Sequence, residues 1–362
     1  MRAARYCSPT FLSAELARIV HPLSAIKSNP LRPGVRQPAL SVVIVNYNCK
    51  TFTIDCLRSV FAQSYDFALE VIVVDNASHD GSVEDIPTAF PQVRFVSLAE
   101  NVGFGRGCNC GATLATAPYI LLLNPDSVVR ADTLRNLMRF AKDHPDAGIW
   151  GGRTYNGKGV LDPSSCWRFP TPWSTFCIVA GLARAFPKSP RFNAEGYGGW
   201  QRDSVREVDV VTGCLLLVER SLWDRLGGFD PVYFMYSEEV DLCRRARDLG
   251  ARPLISPDVE VVHYSGVTEK VRADRLIKQF KGKRTYMLRH WPWLHERAGA
   301  FLLLTWSFGR FAFLSTAGAL LRRPAIHEGA HTWGNVWRRR HEWLPGYRTQ
   351  RTVPEPNAVT QQ

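Results

Sequence analysis

The stretch "ALSVVIVNYN", residues 39–48, is a run of β-branched apolar residues that ends in polar residues. It predicts a buried strand, and the helical spacing of apolar residues in "TFTIDCLRSVFAQ" predicts that a helix follows. A second strand is predicted in "LEVIVVDNAS", and the alternation then continues with a helix near 81–90, a strand at 93–98, a helix at about 105–115 and a strand at 119–123. Strands that alternate with helices predict an α/β fold with a doubly wound, mostly parallel sheet flanked by helices.

Polar residues follow each of these four strands. They are Asn46 and Asn48 after the first, Asp75 and Asn76 after the second, Asn101 and Gly103 after the third, and Asn124 and Asp126 after the fourth. A single such residue is typical of a turn or a helix cap, but polar residues at four successive strand ends favour a ligand crevice. In it, a carboxylate such as Asp75 can accept from the N3–H of uracil or thymine, and amides can hold ribose and phosphate oxygens.

The glycines of this sequence do not match the common nucleotide motifs. The turn "NYNCK", residues 46–50, has none, and "GFGRGCNCG", residues 103–111, has its glycines in the wrong phase for G-x-G-x-x-G. No G-x-x-x-x-G-K-[ST] occurs. The sequence therefore argues against a nicotinamide-dependent dehydrogenase and against a P-loop nucleotide hydrolase.

The formal net charge of +12 comes from the end of the chain. Residues 270–362 contain 17 Lys and Arg against 5 Asp and Glu, whereas residues 1–269 contain 28 of each kind. The apolar stretch 298–321 in the same region has Arg310 as its single charge. This composition indicates contact with an anionic membrane surface, either by a peripheral pair of interfacial helices or by one spanning helix. A third alternative is that the stretch forms a helical cap on the protein core. Aromatic residues here lie inside apolar runs, so we expect no nucleic-acid partner.

The chain divides into three parts by composition. Residues 1–38 have no run apolar enough for a signal peptide, and they predict an amphipathic helix over Pro9–Ile26 followed by a Pro-rich linker. The alternating pattern fills residues 39–269, and residues 270–362 are the basic, apolar helical region. Nine cysteines without a C-x-x-C pair are typical of reduced thiols in the cytosol.

Six segments carry a resemblance to a known family. They are "SVVIVNYN", "VIVVDNASHDGS", "ENVGFGRGCNCG", "LLLNPDS", "GGFDPVYFMYSEEVDLCRRARDLG" and "VVHYSG". In this order they resemble a family 2 glycosyltransferase with the GT-A fold, in the bacterial rhamnosyltransferase-like branch, over roughly residues 40–268. The resemblance implies an inverting, metal-dependent transfer of a sugar from a nucleoside diphosphate sugar to an acceptor hydroxyl, with Mn²⁺ or Mg²⁺ as cofactor.

The resemblance also assigns roles to residues. The family's Asp-any-Asp motif corresponds to residues 124–126, so that Asp126 is the remaining charged metal ligand and Asn124 replaces the other aspartate. His263 matches a histidine that completes the metal site, although a strand-end histidine bonded to backbone is the alternative. Asn109 matches a residue that contacts the donor.

The general base of the reaction is expected at the start of the helix in "YSEEVDLCRRARDLG", residues 236–250. Glu239 matches the family's aspartate base, Glu238 is the second choice and Asp241 the third. Acidic residues in a first helical turn can also merely complement the helix dipole. The resemblance also implies that Gly213 and Gly228 line the acceptor side. Arg244 and Arg245 either bind the diphosphate or pair with acidic residues one turn away. The same two alternatives are open for Arg106.

Three functions compete on this evidence. The first is a glycosyltransferase on the cytoplasmic face of the inner membrane, with rhamnose as the candidate sugar by resemblance, acting on a lipid-linked or cell-envelope glycan with a polyprenyl-linked acceptor. The second is a sugar-nucleotide pyrophosphorylase or a glycoside hydrolase, which would need a Gly/Arg-rich first loop or two facing carboxylates. The third is a glycan- or lipid-binding module of the same fold without activity.

Overall fold

The computed structural model describes residues 37–264, 271–321 and 323–348. The helix predicted over Pro9–Ile26, most of the linker and the end of the "VVHYSG" segment lie outside these residues. The strands are β1 (Leu40–Asn46), β2 (Leu69–Asp75), β3 (Arg94–Ser97), β4 (Tyr119–Leu123), β5 (Ser127–Val129), β6 (Ile149–Tyr155), β7 (Leu161–Asp162), β8 (Cys166–Trp167), β9 (Arg206–Glu207), β10 (Val210–Val211), β11 (Leu215–Glu219) and β12 (Leu254–His263).

The helices flank these strands or follow them. They are α1 (Lys50–Phe61), α2 (Ser82–Ala89), α3 (Phe104–Leu114), α4 (Thr133–Asp143), α5 (Pro172–Val179), α6 (Leu182–Ala185), α7 (Arg220–Leu226), α8 (Glu238–Asp248), α9 (Arg272–His290), α10 (Trp293–Leu321), α11 (Pro324–Arg338) and α12 (Arg340–Trp343). The elements predicted between residues 40 and 123 are all present, within two residues of their predicted bounds.

One large sheet forms the centre of the molecule, with the main strand order β3-β2-β1-β4-β11-β6-β12-β5. Strands β3, β2, β1 and β4 are mutually parallel, whereas β11 runs antiparallel between β4 and β6. Strand β12 is parallel to β6 and antiparallel to β5. The predicted mostly parallel α/β sheet is therefore confirmed, with an antiparallel strand inserted at its centre.

Apolar residues cover both faces of this sheet. Along β1, Val43 and Val45 belong to the core shared with α3, α7 and α8, and Val42 and Ile44 belong to the core shared with α1, α2 and α4. Burial on both faces explains why the parallel strands are continuous apolar runs. Because β1, β2, β3 and β4 all point the same way, their carboxyl ends meet at one edge.

The C-terminal helices have an apolar core of their own. Ile277, Phe280, Leu303, Trp333 and Trp343 are buried together between α9, α10, α11 and α12. Helices α10 and α11 form an antiparallel hairpin, in which later residues of α10 contact progressively earlier residues of α11: Phe308 lies against Trp337, Phe311 against Gly334, and Gly318 against His327. Among the described helices, α10 is long and apolar enough to cross a membrane by length and composition.

Candidate active site

The carboxyl ends of β1 and β2 are joined by side-chain hydrogen bonds. Asn46 Nδ2 donates to Asp75 Oδ1 at 2.6 Å and to Ser78 Oγ at 3.0 Å, while Asn46 Oδ1 accepts from Thr53 Oγ1 at 2.7 Å. The other carboxylate oxygen of Asp75 accepts from the Ser78 N–H at 2.9 Å. Both Asn46 and Asp75 are fully buried. They fix the floor of the crevice, and a contact between Asp75 and a base stays a prediction.

Asn48 carries the same network out to the surface. Its N–H donates to Ser78 Oγ at 2.9 Å, and its Oδ1 accepts from the His79 N–H at 2.8 Å. It adopts a left-handed backbone with φ of 49°, a conformation in which asparagine is enriched. Asn48 is exposed, and the neighbouring Tyr47 is partly exposed. This edge of the crevice is therefore open to a ligand.

At the end of β3, Asn76 and Asn101 hold a tight loop. Asn76 Nδ2 donates to Asn101 Oδ1 at 3.0 Å and to the Gly103 carbonyl at 3.2 Å, and Asn76 Oδ1 accepts from the backbone at Val102 at 2.9 Å. Gly103 has φ of 88°, and a Cβ there would lie 2.2 Å from the Phe234 carbonyl oxygen. Glycine is required at this position because the loop packs directly on the backbone that leads to α8.

Asn109 lies on α3, away from the strand ends. It is 7% exposed, and both atoms of its amide are engaged by Phe229: Nδ2 donates to the carbonyl at 2.8 Å and Oδ1 accepts from the N–H at 2.9 Å. A Cβ on Gly228 would lie 2.5 Å from Asn109 Oδ1. In this arrangement Asn109 ties α3 to the loop at Gly228, and its contact with a donor stays a prediction.

The residues after β4 form a turn that brings Asp126 to His263. The Ser127 N–H donates to the Asn124 carbonyl at 3.1 Å, so that Pro125 occupies the second position of the turn. Strands β5 and β12 then pair with Ser127 opposite His263. Asp126 Oδ1 lies 3.1 Å from His263 Nε2, and Asn124 Nδ2 lies 3.2 Å from the same nitrogen. The register of the sheet thus joins residues that are far apart in sequence.

The chemistry of this cluster suits a divalent cation. It offers a carboxylate and an imidazole, and Asn124 Oδ1 is a buried oxygen without a hydrogen-bond partner. Two ligand atoms at right angles and about 2.1 Å from an octahedral cation lie roughly 3 Å apart. The 3.1 Å between Asp126 Oδ1 and His263 Nε2 fits that spacing. Within the described residues no three His, Cys, Asp or Glu side chains form a metal cluster, so further ligands must come from Asn124, water or the donor.

Two successive residues with left-handed backbones precede the carboxylates of α8. Tyr236 has φ of 68° and Ser237 has φ of 71°, after which the helix begins with Glu238 and Glu239. Ser237 directly precedes the helix. Its side chain makes no capping hydrogen bond, since that bond requires an extended rather than a left-handed backbone at the cap.

Glu238 and Glu239 are carboxylates in an environment that disfavours their charge. Each has a buried Oε2 atom without a hydrogen-bond partner. Burial raises the pKa of Glu239 to about 7. Burial, and then repulsion from Glu239, raises the pKa of Glu238 well above its usual range. Glu238 is 5% exposed whereas Glu239 is more open, so Glu239 is the one that a substrate can reach.

The other charged residues of α8 form ion pairs. Asp241 is 1% exposed and accepts from Arg245 Nε at 2.7 Å, and its other oxygen lies 2.7 Å from His290 Nε2. Burial works to raise the pKa of Asp241, but the hydrogen bonds from His290 and Arg245 outweigh it and lower that pKa. Arg244 lies 3.5 Å from Asp248. Of the two alternatives for these arginines, the structure therefore contains the intrahelical pairs.

The cluster at Asp126 and the carboxylates of α8 lie at one edge of the sheet. Strands β4 and β11 pair antiparallel, so the residues before β11 lie beside those after β4, and the Cys214 carbonyl accepts from the Asn124 N–H at 3.2 Å. Next to Cys214, a Cβ on Gly213 would lie 4.0 Å from the Glu239 Cβ. Gly213 is therefore a place where an acceptor could approach both groups.

Two residues of this region were not expected from the sequence. Ser78 bonds to Asn46, Asn48 and Asp75. The signal for it was its place in "VIVVDNASHDGS", one of the six segments that carry the resemblance. His290 contacts α8 from a helix outside the resemblance, and no feature of the sequence pointed to it.

Comparison with known proteins agrees with this geometry. The family model for glycosyl transferase family 2 matches residues 41–208. The N-acetylglucosaminyl-diphospho-decaprenol L-rhamnosyltransferase of Mycobacterium tuberculosis is 28% identical over 238 residues, 62% of this chain and 76% of that protein. Rhamnosyltransferase WbbL of Escherichia coli is 29% identical over 170 residues, 45% of this chain and 61% of WbbL. The structure resembles that of the mannosyltransferase PcManGT from Pyrobaculum calidifontis, solved with GDP-Man and Mn²⁺, with a TM-score of 0.51, 20% identity and coverage of 83% of this chain and 86% of that one.

The fold is that of a GT-A glycosyltransferase. Within that class, the chain resembles glycosyl transferase family 2 over residues 41–208, and rhamnosyltransferases are among the relatives that it matches. The glycosyltransferase reading of the sequence is thereby confirmed over the pyrophosphorylase, hydrolase and binding-module alternatives.

Proposed function

We propose that the protein is a metal-dependent, inverting glycosyltransferase that moves rhamnose from a nucleoside diphosphate sugar to a hydroxyl of a lipid-linked glycan. This proposal rests on one observation: a candidate pair of metal ligands and a candidate general base lie at the same edge of the sheet. Asp126 and His263 form a ligand pair on one side, and Glu239 on the other side has a raised pKa and an unpartnered oxygen. Gly213 lies between them, next to Cys214 on the Asp126 side and in contact with the Glu239 side.

The donor would occupy the crevice above β1, β2 and β4. Asp126, His263 and Asn124 would hold the divalent cation, and their oxygen and nitrogen atoms suit Mn²⁺ or Mg²⁺. When bound there, the cation supplies positive charge that stabilises the departing diphosphate. The exposed Asn48 and the partly exposed Tyr47 can contact the nucleoside by hydrogen bonding and stacking. Relatives of this chain are named as rhamnosyltransferases, and thymidine diphosphate rhamnose is the donor that we propose for it.

The acceptor hydroxyl would be activated by Glu239. A general base works best when its pKa is near the working pH, and burial brings the pKa of Glu239 to about 7. The carboxylate takes the hydroxyl proton while the oxygen attacks the anomeric carbon from the side opposite the diphosphate. One displacement of this kind inverts the anomeric configuration. Glu238 is less accessible and resists ionisation, because burial and then repulsion from Glu239 raise its pKa well above the usual range.

The acceptor is proposed to be polyprenyl-linked and presented at the cytoplasmic face of the inner membrane. Helix α10 exposes large apolar side chains, among them Phe301 at 67% and Phe313 at 68%. One side of it contacts α11, α9 and α5, and the rest is free to lie on a surface. Arg310 lies 6.0 Å from the ring of Trp333, and Arg297 and Arg323 lie near the two ends of the helix. These features support peripheral binding to anionic lipid.

Substitution of Asp126 by alanine tests the metal-dependent reaction. We expect sugar transfer from the nucleoside diphosphate sugar to be lost, together with the Mn²⁺-dependent rise in melting temperature on addition of the nucleoside diphosphate. Asp55→Ala is the matched control, since Asp55 is exposed on α1 and pairs with Arg58. Retention of manganese-dependent nucleotide binding by Asp126→Ala would overturn the donor-site assignment.

Binding to vesicles tests the membrane part of the proposal. The wild type should float with vesicles that contain phosphatidylglycerol and not with vesicles of phosphatidylcholine alone. Phe301→Ser with Phe313→Ser should abolish flotation, while Leu249→Ser, which removes an exposed apolar residue at the end of α8, should not. Equal flotation of all three proteins would remove the support for this membrane surface.

A further inference from the structure

The turn that presents the candidate base is in direct contact with α9. A Cβ on Gly282, in the middle of α9, would lie 2.3 Å from the Tyr236 carbonyl oxygen and 3.2 Å from Ser237 Oγ. Alanine is the better helix former, so a glycine inside a 19-residue helix has no local advantage. The close approach of α9 to the turn is therefore the physical reason for glycine at this position.

The turn itself needs external support. Tyr236 and Ser237 both have left-handed backbones, although neither is glycine. Such conformations are unfavourable for side chains of this kind and persist where the surrounding structure holds them. Two residues before the turn, the Phe234 carbonyl accepts from the Phe104 N–H at 2.9 Å. The turn is thus held by contacts with both α3 and α9.

His290, at the last residue of α9, makes a second contact with α8. Its Nε2 lies 2.7 Å from Asp241 Oδ1, and its ring packs on that of Tyr286 with centroids 4.8 Å apart. Asp241 is nearly without solvent exposure and follows Glu239 by two residues. The contact therefore fixes the first turn of α8 relative to α9.

Further contacts extend this attachment along the segment before the turn. Arg289 pairs with Asp230 at 2.7 Å, and Tyr347 OH donates to the Met235 carbonyl at 3.0 Å. The Tyr347 N–H in turn donates to Thr285 Oγ1 of α9 at 2.7 Å. From residue 230 to residue 241, the acceptor-side segment is therefore anchored on α9 and on the chain that packs against it.

We propose that Gly282 and His290 are positioning residues, through which α9 sets the place of Glu239 relative to the donor. The C-terminal helical region would then be part of the catalytic unit as well as a candidate membrane contact. This inference rests on the proposed function, because it takes Glu239 as the base. It concerns the rate of transfer and not the binding of the donor, since neither residue contacts the strand ends of β1, β2 or β4.

The test compares two glycine substitutions in the C-terminal helices. Gly282→Ala places a methyl group against the Tyr236 carbonyl, whereas Gly309→Ala in α10 places one where no atom lies within 4 Å. A displacement of about 1 Å at reacting groups can lower a rate about 100-fold. We expect kcat for sugar transfer by Gly282→Ala to fall about 10- to 100-fold, with the Kd for Mn²⁺ and nucleoside diphosphate unchanged, and Gly309→Ala to match the wild type.

A second pair of variants covers the case in which Gly282→Ala does not fold. His290→Gln keeps an N–H that can donate to Asp241, and His290→Leu removes it. We expect a kcat for His290→Leu at least tenfold below that of the wild type and recovery of most of that loss in His290→Gln, again with donor binding unchanged. Wild-type kcat in both Gly282→Ala and His290→Leu would overturn the inference, as would a parallel loss of donor binding, which indicates general unfolding. Absence of transfer by the wild-type protein would instead overturn the proposed function.

Discussion

The loops after β1, β2 and β3 differ from the turn before α8 in how fully their polar side chains are hydrogen-bonded. In the loops, the side chains of Asn46, Asp75 and Asn76 are bonded to one another and to nearby backbone. At the turn, Glu238 and Glu239 each keep a buried oxygen without a partner, next to two left-handed residues. Both regions were predicted from the sequence as parts of one site. The difference in hydrogen bonding indicates that they have different roles in that site.

The difference follows from the cost of an unmade hydrogen bond. A buried polar group without a partner costs about 1 to 3 kcal/mol, so a network that satisfies itself adds stability and shape. Groups that remain unsatisfied reduce stability, and they are retained where a ligand or a reaction uses them. Asn124 Oδ1, near Asp126, is also a buried polar atom without a hydrogen-bond partner. We infer that the loops build the crevice and that the unsatisfied groups carry its chemistry.

The largest effect that separates the two regions is expected from Glu239→Gln. The substitution keeps the size of the side chain and removes its ability to take a proton, so kcat should fall about 10²- to 10⁴-fold. Nucleoside diphosphate binding, measured by titration calorimetry with Mn²⁺, should stay at the wild-type value. Glu84→Gln, at an exposed position of α2, is the control. Full activity of Glu239→Gln together with inactivity of Glu238→Gln would transfer the role of base to Glu238.

The pH dependence of transfer should show the same group. The base is active when deprotonated, and the pKa of Glu239 is raised to about 7, so kcat/KM should fall about tenfold per pH unit below pH 7 and level off above it. The acidic limb should disappear from the residual activity of Glu239→Gln. A wild-type profile that stays flat from pH 5 to pH 8 would contradict the assignment of a titrating base with this pKa.

Much of the fold was readable from the sequence, and the limit lies where strand pairing becomes non-local. Strands β1 to β4 are buried on both faces, and their apolar runs make them visible. Strand β11, which inserts antiparallel between β4 and β6, and strand β12, whose register shifts between Ser256 and Glu260, were not predicted. Their partners lie far along the chain, and a single sequence does not encode that pairing in a local pattern.

The site shows the same limit. The polar residues at the strand ends were predicted because the direction of parallel strands brings them to one edge. The meeting of Asp126 with His263 depends on the register of β5 with β12, and only the family resemblance suggested it. The ion pair of Asp241 with His290 joins two helices that the sequence placed in different regions of the chain. Packing decides whether a predicted polar residue has hydrogen-bond partners, and only the structure shows the outcome.

A smaller effect, on stability, is expected from the loops. Asn76→Ala removes three hydrogen bonds of a side chain that is 3% exposed, so the free energy of unfolding should fall by about 1 to 3 kcal/mol. Urea denaturation measures this, with Gln92→Ala, at an exposed position before β3, as control. Because the loop shapes the crevice, donor affinity should fall as well, while kcat at saturating donor should change little. Loss of kcat without loss of stability would mean that Asn76 acts in the chemistry and would break the distinction between the two regions.

The smallest effect, and one of opposite sign, is expected from Glu238→Gln. The folded state raises the pKa of Glu238 and therefore binds a proton that the unfolded state has released. The stability that this carboxyl contributes is present below its unfolded pKa and is lost as the pH rises through the raised folded value. Glutamine does not titrate, so the free energy of unfolding of the variant should match that of the wild type near pH 4.5 and exceed it at pH 8.5. Urea midpoints at the two pH values measure the difference, with Glu84→Gln as control. A variant less stable than the wild type at pH 8.5 would show that Glu238 is held by bonds as the loop residues are, and the contrast between the loops and the turn would then rest on Glu239 alone.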